Sequence, residues 1–295
     1  MTTNTQLSEE TIEIIDECSD IFKKTFSTII ETLSEGLPNA TACHTFIKTT
    51  FFHAFQDCSY LRTIIIDNDE ELCINPKNTF IISIISMDSI ENFSTHRNFG
   101  TLFTILHTNG QKHKNITGHN VVLCGYCLYG VTTKLVFGRN GYNELWTYSL
   151  HDSKFHKTVS AMQLPAQGKH YFIDESKREQ WSSYYIHKLT NELRTSHTHS
   201  YSNSILSDLH EILLQGGIYI NPVYQNDKNN HCYIFHYAYP IAKLLENSGG
   251  QATDGETSII DLPYSSVKKT QLIFGGTYEM KTLQNTLAPK LLYFD

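Results

Sequence analysis

Ile12, Ile15, Phe22, Phe26, Ile29 and Leu33 recur at steps of three, four or seven residues, and that period predicts an amphipathic helix with these side chains on its buried face. Ser8 is placed to cap this helix, Glu9 and Glu10 complement the positive end of its dipole, and Gly36 ends it. A second helical stretch is predicted from Ala42 to Tyr60. The pattern then changes to short β-branched runs: Thr63 to Ile66, Thr79 to Ile85, Thr101 to His107, Val121 to Tyr129, Thr132 to Phe137 and Asn143 to Ser149. These read as strands of one large sheet largely covered by helices.

The turn-rich segment Gln163-Leu164-Pro165-Ala166-Gln167-Gly168 marks a boundary, giving residues 1–165 (helices plus large sheet) and residues 166–295 (a C-terminal α/β part). In the second part strand and helix alternate. Tyr171 to Ile173 is extended, Ser202 to Gln215 is a helix closed by Gly216-Gly217, Ile218 to Ile220 is a strand, and Pro240 opens a helix that ends near Gly249-Gly250. The fold class is α/β, of a layered α+β kind. No internal repeat or low-complexity linker interrupts it.

The chain has 295 residues and is 40% hydrophobic, enough to bury a substantial core. Its charged fraction of 18% is low for a globular domain, so much of the surface is polar but uncharged. A net charge of -7 and the lack of any Lys/Arg stripe weigh against nucleic acid as a partner. No apolar run is long enough to span a bilayer and no basic leader precedes the first helix, so a cytoplasmic protein is expected. The seven cysteines fit reduced thiols better than a disulfide framework. Cys124 and Cys127 form a lone C-x-x-C inside an apolar run and read as buried strand thiols.

Several segments carry a family resemblance. Gly100-Thr101-Leu102-Phe103-Thr104-Ile105 and Cys124 through Thr133 match a strand and a strand pair of the fructose-1,6-bisphosphatase family. Gly168-Lys169-His170-Tyr171 through Ser176, Tyr201 through Tyr219 with Asp208, His210, Gly216 and Gly217, and Pro240-Ile241-Ala242 through Ala252 match its later motifs in order. The resemblance implies a five-layered αβαβα sugar-phosphatase fold, usually homotetrameric, and magnesium-dependent hydrolysis of a sugar 1-phosphate. Such hydrolysis needs several carboxylates, because Mg²⁺ takes hard oxygen ligands and two or more ions share the attacking and leaving oxygens.

Aligned with the family's metal loop, the chain reads Ile85-Ser86-Met87-Asp88-Ser89-Ile90-Glu91-Asn92. Ile85 stands where the first aspartate belongs, Asp88 keeps the second, and Ser89 replaces a glycine that approaches phosphate. Tyr237 stands in place of a ligand glutamate, and a phenol that ionises near pH 10 does not replace a carboxylate at neutral pH. The family's paired glutamates correspond to Asp67 and Asn68, with Asp69, Glu70 and Glu71 close by in the alternative register. Two further acidic positions fall on His44 and Thr49. Asp67 and Asp88 are the residual metal positions.

On the substrate side the resemblance implies Tyr201 and Lys177 as the remaining phosphate contacts, whereas Ser200, Asn221 and His231 replace an arginine, a tyrosine and a lysine. Asp174 replaces an asparagine and would repel phosphate. The nucleotide-contacting positions fall on Thr79, Phe80 and His107. His197-Thr198-His199 and the group His107, His113 and His119 read as ordinary polar positions rather than metal sites. The expectation is therefore a pseudoenzyme with no catalytic residues and no cofactor, acting as a structural or interaction subunit with itself or with other proteins. Two alternatives stay open. One is a divergent Mg²⁺-dependent phosphatase using Asp67, Asp69, Glu70, Glu71 and Asp88; the other is a non-hydrolysing binder of a phosphorylated small molecule.

Overall fold

Helix α1 (Glu9–Glu35) begins where the Ser8 hydroxyl accepts the Thr11 N–H at 3.2 Å and ends at Gly36 with φ 92°. Its buried stripe runs through Ile14, Ile15, Cys18, Phe22, Phe26 and Ile29. Ile12 is 41% exposed and lies off this stripe, which at the N-terminal end of the helix runs through Thr11, Ile14 and Ile15. Helix α2 (Ala40–Phe55) is capped by Asn39, whose Oδ1 accepts the Ala42 N–H at 2.9 Å. It stops at Phe55 and not at Tyr60, because the Asn78 amide donates to the Ser59 and Leu61 carbonyls and holds the intervening residues as turns. The computed structural model describes residues 8–67, 71–110, 115–225, 232–265 and 268–287.

The large sheet contains β1 (Leu61–Ile66), β2 (Leu72–Cys73), β3 (Phe80–Asp88), β4 (Phe99–His107), β5 (Val121–Tyr129), β6 (Lys134–Arg139), β7 (Tyr142–Ser149) and β8 (Lys154–Val159), with the short helix α3 (Glu91–Ser94) after β3. Their order is β2-β1-β3-β4-β5-β6-β7-β8, with β1 and β3 parallel and the other neighbours antiparallel. Strand β8 escapes the sequence pattern because it is an exposed edge without apolar alternation.

The second sheet has the order β10-β9-β11-β15-β13. In chain order the elements are β9 (His170–Phe172), α4 (Tyr184–Leu193), β10 (Thr198–Ser200), α5 (Ile205–Gln215), β11 (Ile218–Asn221), β12 (Cys232–Tyr233), α6 (Tyr239–Asn247), β13 (Gln251–Thr253), β14 (Lys269–Thr270), β15 (Leu272–Gly275) and α7 (Thr277–Leu287). Strands β12 and β14 pair separately.

Alternation along these strands builds the layers. Phe172, Tyr219, Leu272 and Phe274 point inward to a core shared with α5, α6 and the large sheet. Tyr171, Ile173, Ile218, Ile220 and Ile273 point outward, against Ile186 and Leu189 of α4 and Leu283 of α7. On the far face of the large sheet, Ile82, Ile84 and Phe103 pack under α1 and α2. The result is five layers: helices, sheet, helices, sheet, helices. Gly168 fits this stacking because a Cβ there would lie 1.9 Å from the Gly217 nitrogen. Among the described residues no helix is long and apolar enough to cross a membrane.

Candidate functional site

Strand β3 delivers Asp88 to the start of α5. The Asp88 Oδ2 accepts the Ser204 hydroxyl at 3.0 Å and the Ser89 hydroxyl at 3.0 Å. Ser204 is itself the N-cap of α5, so Asp88 lies against the positive end of that helix. Burial pushes its carboxyl up to about 6 although these hydrogen bonds oppose it. A second acid is tied into the same turn: Asp208 accepts the Ser202 N–H at 3.2 Å, and burial pushes it up to about 7. The two carboxyls are joined through Ser202, which donates to the Ser204 carbonyl at 3.0 Å and accepts the Ser204 N–H at 3.1 Å.

Asp67 closes β1 with φ 57°, and its carboxylate turns onto neighbouring groups. It accepts the Ser86 N–H at 2.7 Å and the Ser86 hydroxyl at 2.5 Å, and it pairs with His44 Nε2 at 3.1 Å. His44 on α2 thus puts an imidazole where the resemblance implies an acidic ligand. Ile85 is 4% exposed and belongs to the apolar core between the two sheets. Tyr237 borders the same cleft as Asp88, and burial holds its phenol well above its usual range. Asn68, Asp69, Glu70 and His231 lie outside the described residues.

A cleft of about 340 Å³ gathers four of the positions singled out in the sequence, Asp88, Tyr201, Asn221 and Tyr237. Its remaining lining includes Asn203, Tyr219 and Tyr233. Burial pushes the Tyr201 phenol up to about 12. Asn221 donates its amide to Cys232 Sγ at 3.5 Å. Lys177 and Asp174 are not among the lining residues and engage each other: Asp174 caps the turn at Ser176, and Lys177 Nζ lies 3.4 Å from it and over the Tyr224 ring. Ser200 ends β10, half-buried, outside the cleft lining.

Residues 164–288 match the family described as "Fructose-1-6-bisphosphatase, C-terminal domain". The class 1 fructose-1,6-bisphosphatase of Sulfurihydrogenibium sp. (strain YO3AOP1) is 29% identical over 223 residues, covering 70% of this chain and 66% of its own length. That of Synechococcus sp. (strain JA-3-3Ab) is 28% identical over 220 residues, covering 69% and 65%. The match thus spans just under two thirds of the length of these relatives. The chain is similar to fructose-1,6-bisphosphatases, and residues 164–288 carry the match to that family's C-terminal domain. Its fold agrees with that of the Leishmania major fructose-1,6-bisphosphatase crystal structure in apo form, at a TM-score of 0.85 over 96% of each chain and 16% identity.

The donor set does not fit the metal cluster that the fructose-1,6-bisphosphatase resemblance implies. Asp67 and Asp88 are engaged with hydroxyls, amides and an imidazole, and among the described residues no three His, Cys, Asp or Glu side chains are grouped to hold a metal ion. The other positions singled out in the sequence are engaged as well where the structure describes them. Phe80 and His107 stack on each other at 4.3 Å across β3 and β4. His197 is buried against Glu279 at 3.2 Å, His199 Nε2 lies 2.8 Å from the Ile173 carbonyl, and His119 pairs with Asp261; His113 lies outside the described residues. Cys124 and Cys127 are buried in β5. The sequence reading missed the serines: Ser86, Ser202 and Ser204 become visible only when the chain brings them beside acids 19, 6 and 116 residues away.

Proposed function

We propose that the chain is a non-hydrolysing relative of the fructose-1,6-bisphosphatases that works as a structural or interaction subunit of a homo-oligomer or larger complex in the cytoplasm. The observation that carries this reading is the engagement of the two residual acids. Asp67 is held through both oxygens by Ser86 and His44, and Asp88 through Oδ2 by Ser89 and Ser204, so these oxygens meet protein donors where a metal cluster needs ligands. Ile85 and Tyr237 supply no further carboxylate. Without bound cations, the buried and largely ionised Asp88 at neutral pH opposes a sugar phosphate in the cleft, which also weighs against the phosphorylated-ligand reading. The intact five-layered core supports a role that depends on shape.

Two experiments separate the readings. Paramagnetic resonance of Mn²⁺, titrated with the protein and fructose 1,6-bisphosphate, should retain the signal of the free ion at micromolar protein. Loss of that signal in proportion to protein would support the divergent phosphatase. Light scattering and size analysis of native lysate should find an assembly burying more than about 1,000 Å² in its main contact. A stable monomer of 33.8 kDa in both settings contradicts the subunit role.

A further inference from the structure

Four tyrosines from separate parts of the chain line the cleft beside Asp88: Tyr201 just after β10, Tyr219 on β11, Tyr233 on β12, and Tyr237 in the turn that leads into α6. Tyr219 is 8% exposed and stacks on Phe274 at 4.8 Å between centroids, and Tyr237 packs against the core between the sheets. Tyr201 is the accessible one, 37% exposed. Tyr233 already carries an ammonium, because Lys269 Nζ lies over its ring, 4.6 Å from the centroid.

The charges that act on these rings are carboxylates. Asp174, Asp208 and Asp88 act on Tyr201, Asp208 and Asp88 on Tyr219, and Asp88, Asp67 and Glu91 on Tyr237. Among the described residues no Lys, Arg or His lines the cleft. Burial pushes the Tyr201 phenol up to about 12 and holds those of Tyr219 and Tyr237 well above their usual range, so all three rings stay neutral at physiological pH. Asp88 meets only neutral donors, the Ser89 and Ser204 hydroxyls, through its Oδ2. A strongly hydrated metal ion needs more hard oxygen ligands than this one acid supplies. A weakly hydrated organic cation is instead attracted both by the aromatic rings and by the carboxylate.

We propose that this cleft binds a small methylated ammonium ion, with its cationic head among Tyr201, Tyr219, Tyr233 and Tyr237 and against Asp88. The cleft volume of about 340 Å³ lies within the range of small-molecule sites, which begins at about 300 Å³. Asn203 and Asn221 also line it and offer side-chain amides to a hydroxyl or amide on the ligand. Free choline-like ions and the trimethylated lysine of a protein tail share this head group. The site goes beyond the subunit role and does not depend on it.

The test titrates the full chain by isothermal calorimetry with choline chloride and with its uncharged carbon isostere, 3,3-dimethylbutan-1-ol, at constant ionic strength. A pH near 7.5 keeps Asp88, raised to about 6, ionised. Choline should bind at one site about tenfold or more tightly than the isostere, because only the charged head gains from the rings and the acid. Asp88→Asn, which keeps an oxygen for both hydroxyls, and Tyr201→Leu, at the most exposed of the four rings, should each weaken choline several-fold in protein that still melts cooperatively. A trimethyl-lysine peptide then distinguishes the sources: tighter binding than choline assigns the site to a methylated tail, weaker binding to a free ion, and either result supports it. Equal binding of choline and its isostere, no binding of choline at millimolar concentration, or full affinity in either folded variant would overturn the assignment.

Discussion

Replacing Asp88 with Asn should stabilise the protein, and only above a defined pH. Asp88 is 6% exposed and its carboxyl is raised from 3.8 to about 6, chiefly by burial. A carboxyl raised in the folded state keeps its proton longer there than in the unfolded chain, so stability falls as pH rises between these values. Below about pH 4 both states are protonated and nothing is lost. Above about pH 6 the folded state carries the full penalty, on the order of 3 kcal/mol for this difference. Asparagine keeps an oxygen for the Ser89 and Ser204 hydroxyls and removes the charge, so Asp88→Asn should recover most of that energy at pH 8. For a chain of this length that corresponds to a rise of roughly 5 °C or more in thermal midpoint, read by scanning calorimetry. At pH 4 the two proteins should melt together. A loss of stability at pH 8, or an equal gain at pH 4, would refute the assignment of Asp88 as a buried, charge-destabilised acid.

Ile85→Asp, which restores an acid at the family position, should lower stability by several kcal/mol in urea titration, because it places a carboxylate in the core between the sheets. The same variant should release no phosphate from fructose 1,6-bisphosphate, since Tyr237 still stands at another ligand position; recovery of turnover by this single change would show a nearly intact site. His44→Ala should destabilise by about 1 kcal/mol or less, because the His44–Asp67 pair is partly exposed; a larger loss in denaturant unfolding would mean a stronger pair than the geometry supports. Gly168→Ala should fail to accumulate as folded protein on gel filtration, because the new methyl meets the Gly217 backbone; a normally folded variant would contradict the packing described there.

The fold was legible where burial imposes a period. The stripe on α1 and the apolar runs of β3, β4 and β5 announce themselves because each is covered by another layer. Strand β8 did not, since an exposed edge needs no apolar residues, and α4 and α7 were missed although Ile186, Leu189 and Leu283 carry their buried faces. The end of α2 depended on Asn78 from a later segment, which no local pattern contains. At the site, resemblance to a family pointed to Asp88, Tyr201, Asn221 and Tyr237, and the cleft does gather these four. Spacing along the chain gave no such hint. The capture of Asp88 by Ser204 and of Asp67 by His44 depends on the tertiary approach of α5 and α2 to the strand ends, so it could not be read locally. Lys177 was the opposite case: a cation near the motif, with its charge already met by Asp174.

The central claim concerns turnover, and phosphate release from fructose 1,6-bisphosphate in Mg²⁺ or Mn²⁺ tests it most directly. The predicted result is no release above a heat-killed control at either metal. Metal-dependent release that disappears in Asp88→Ala would contradict the account and favour the divergent phosphatase.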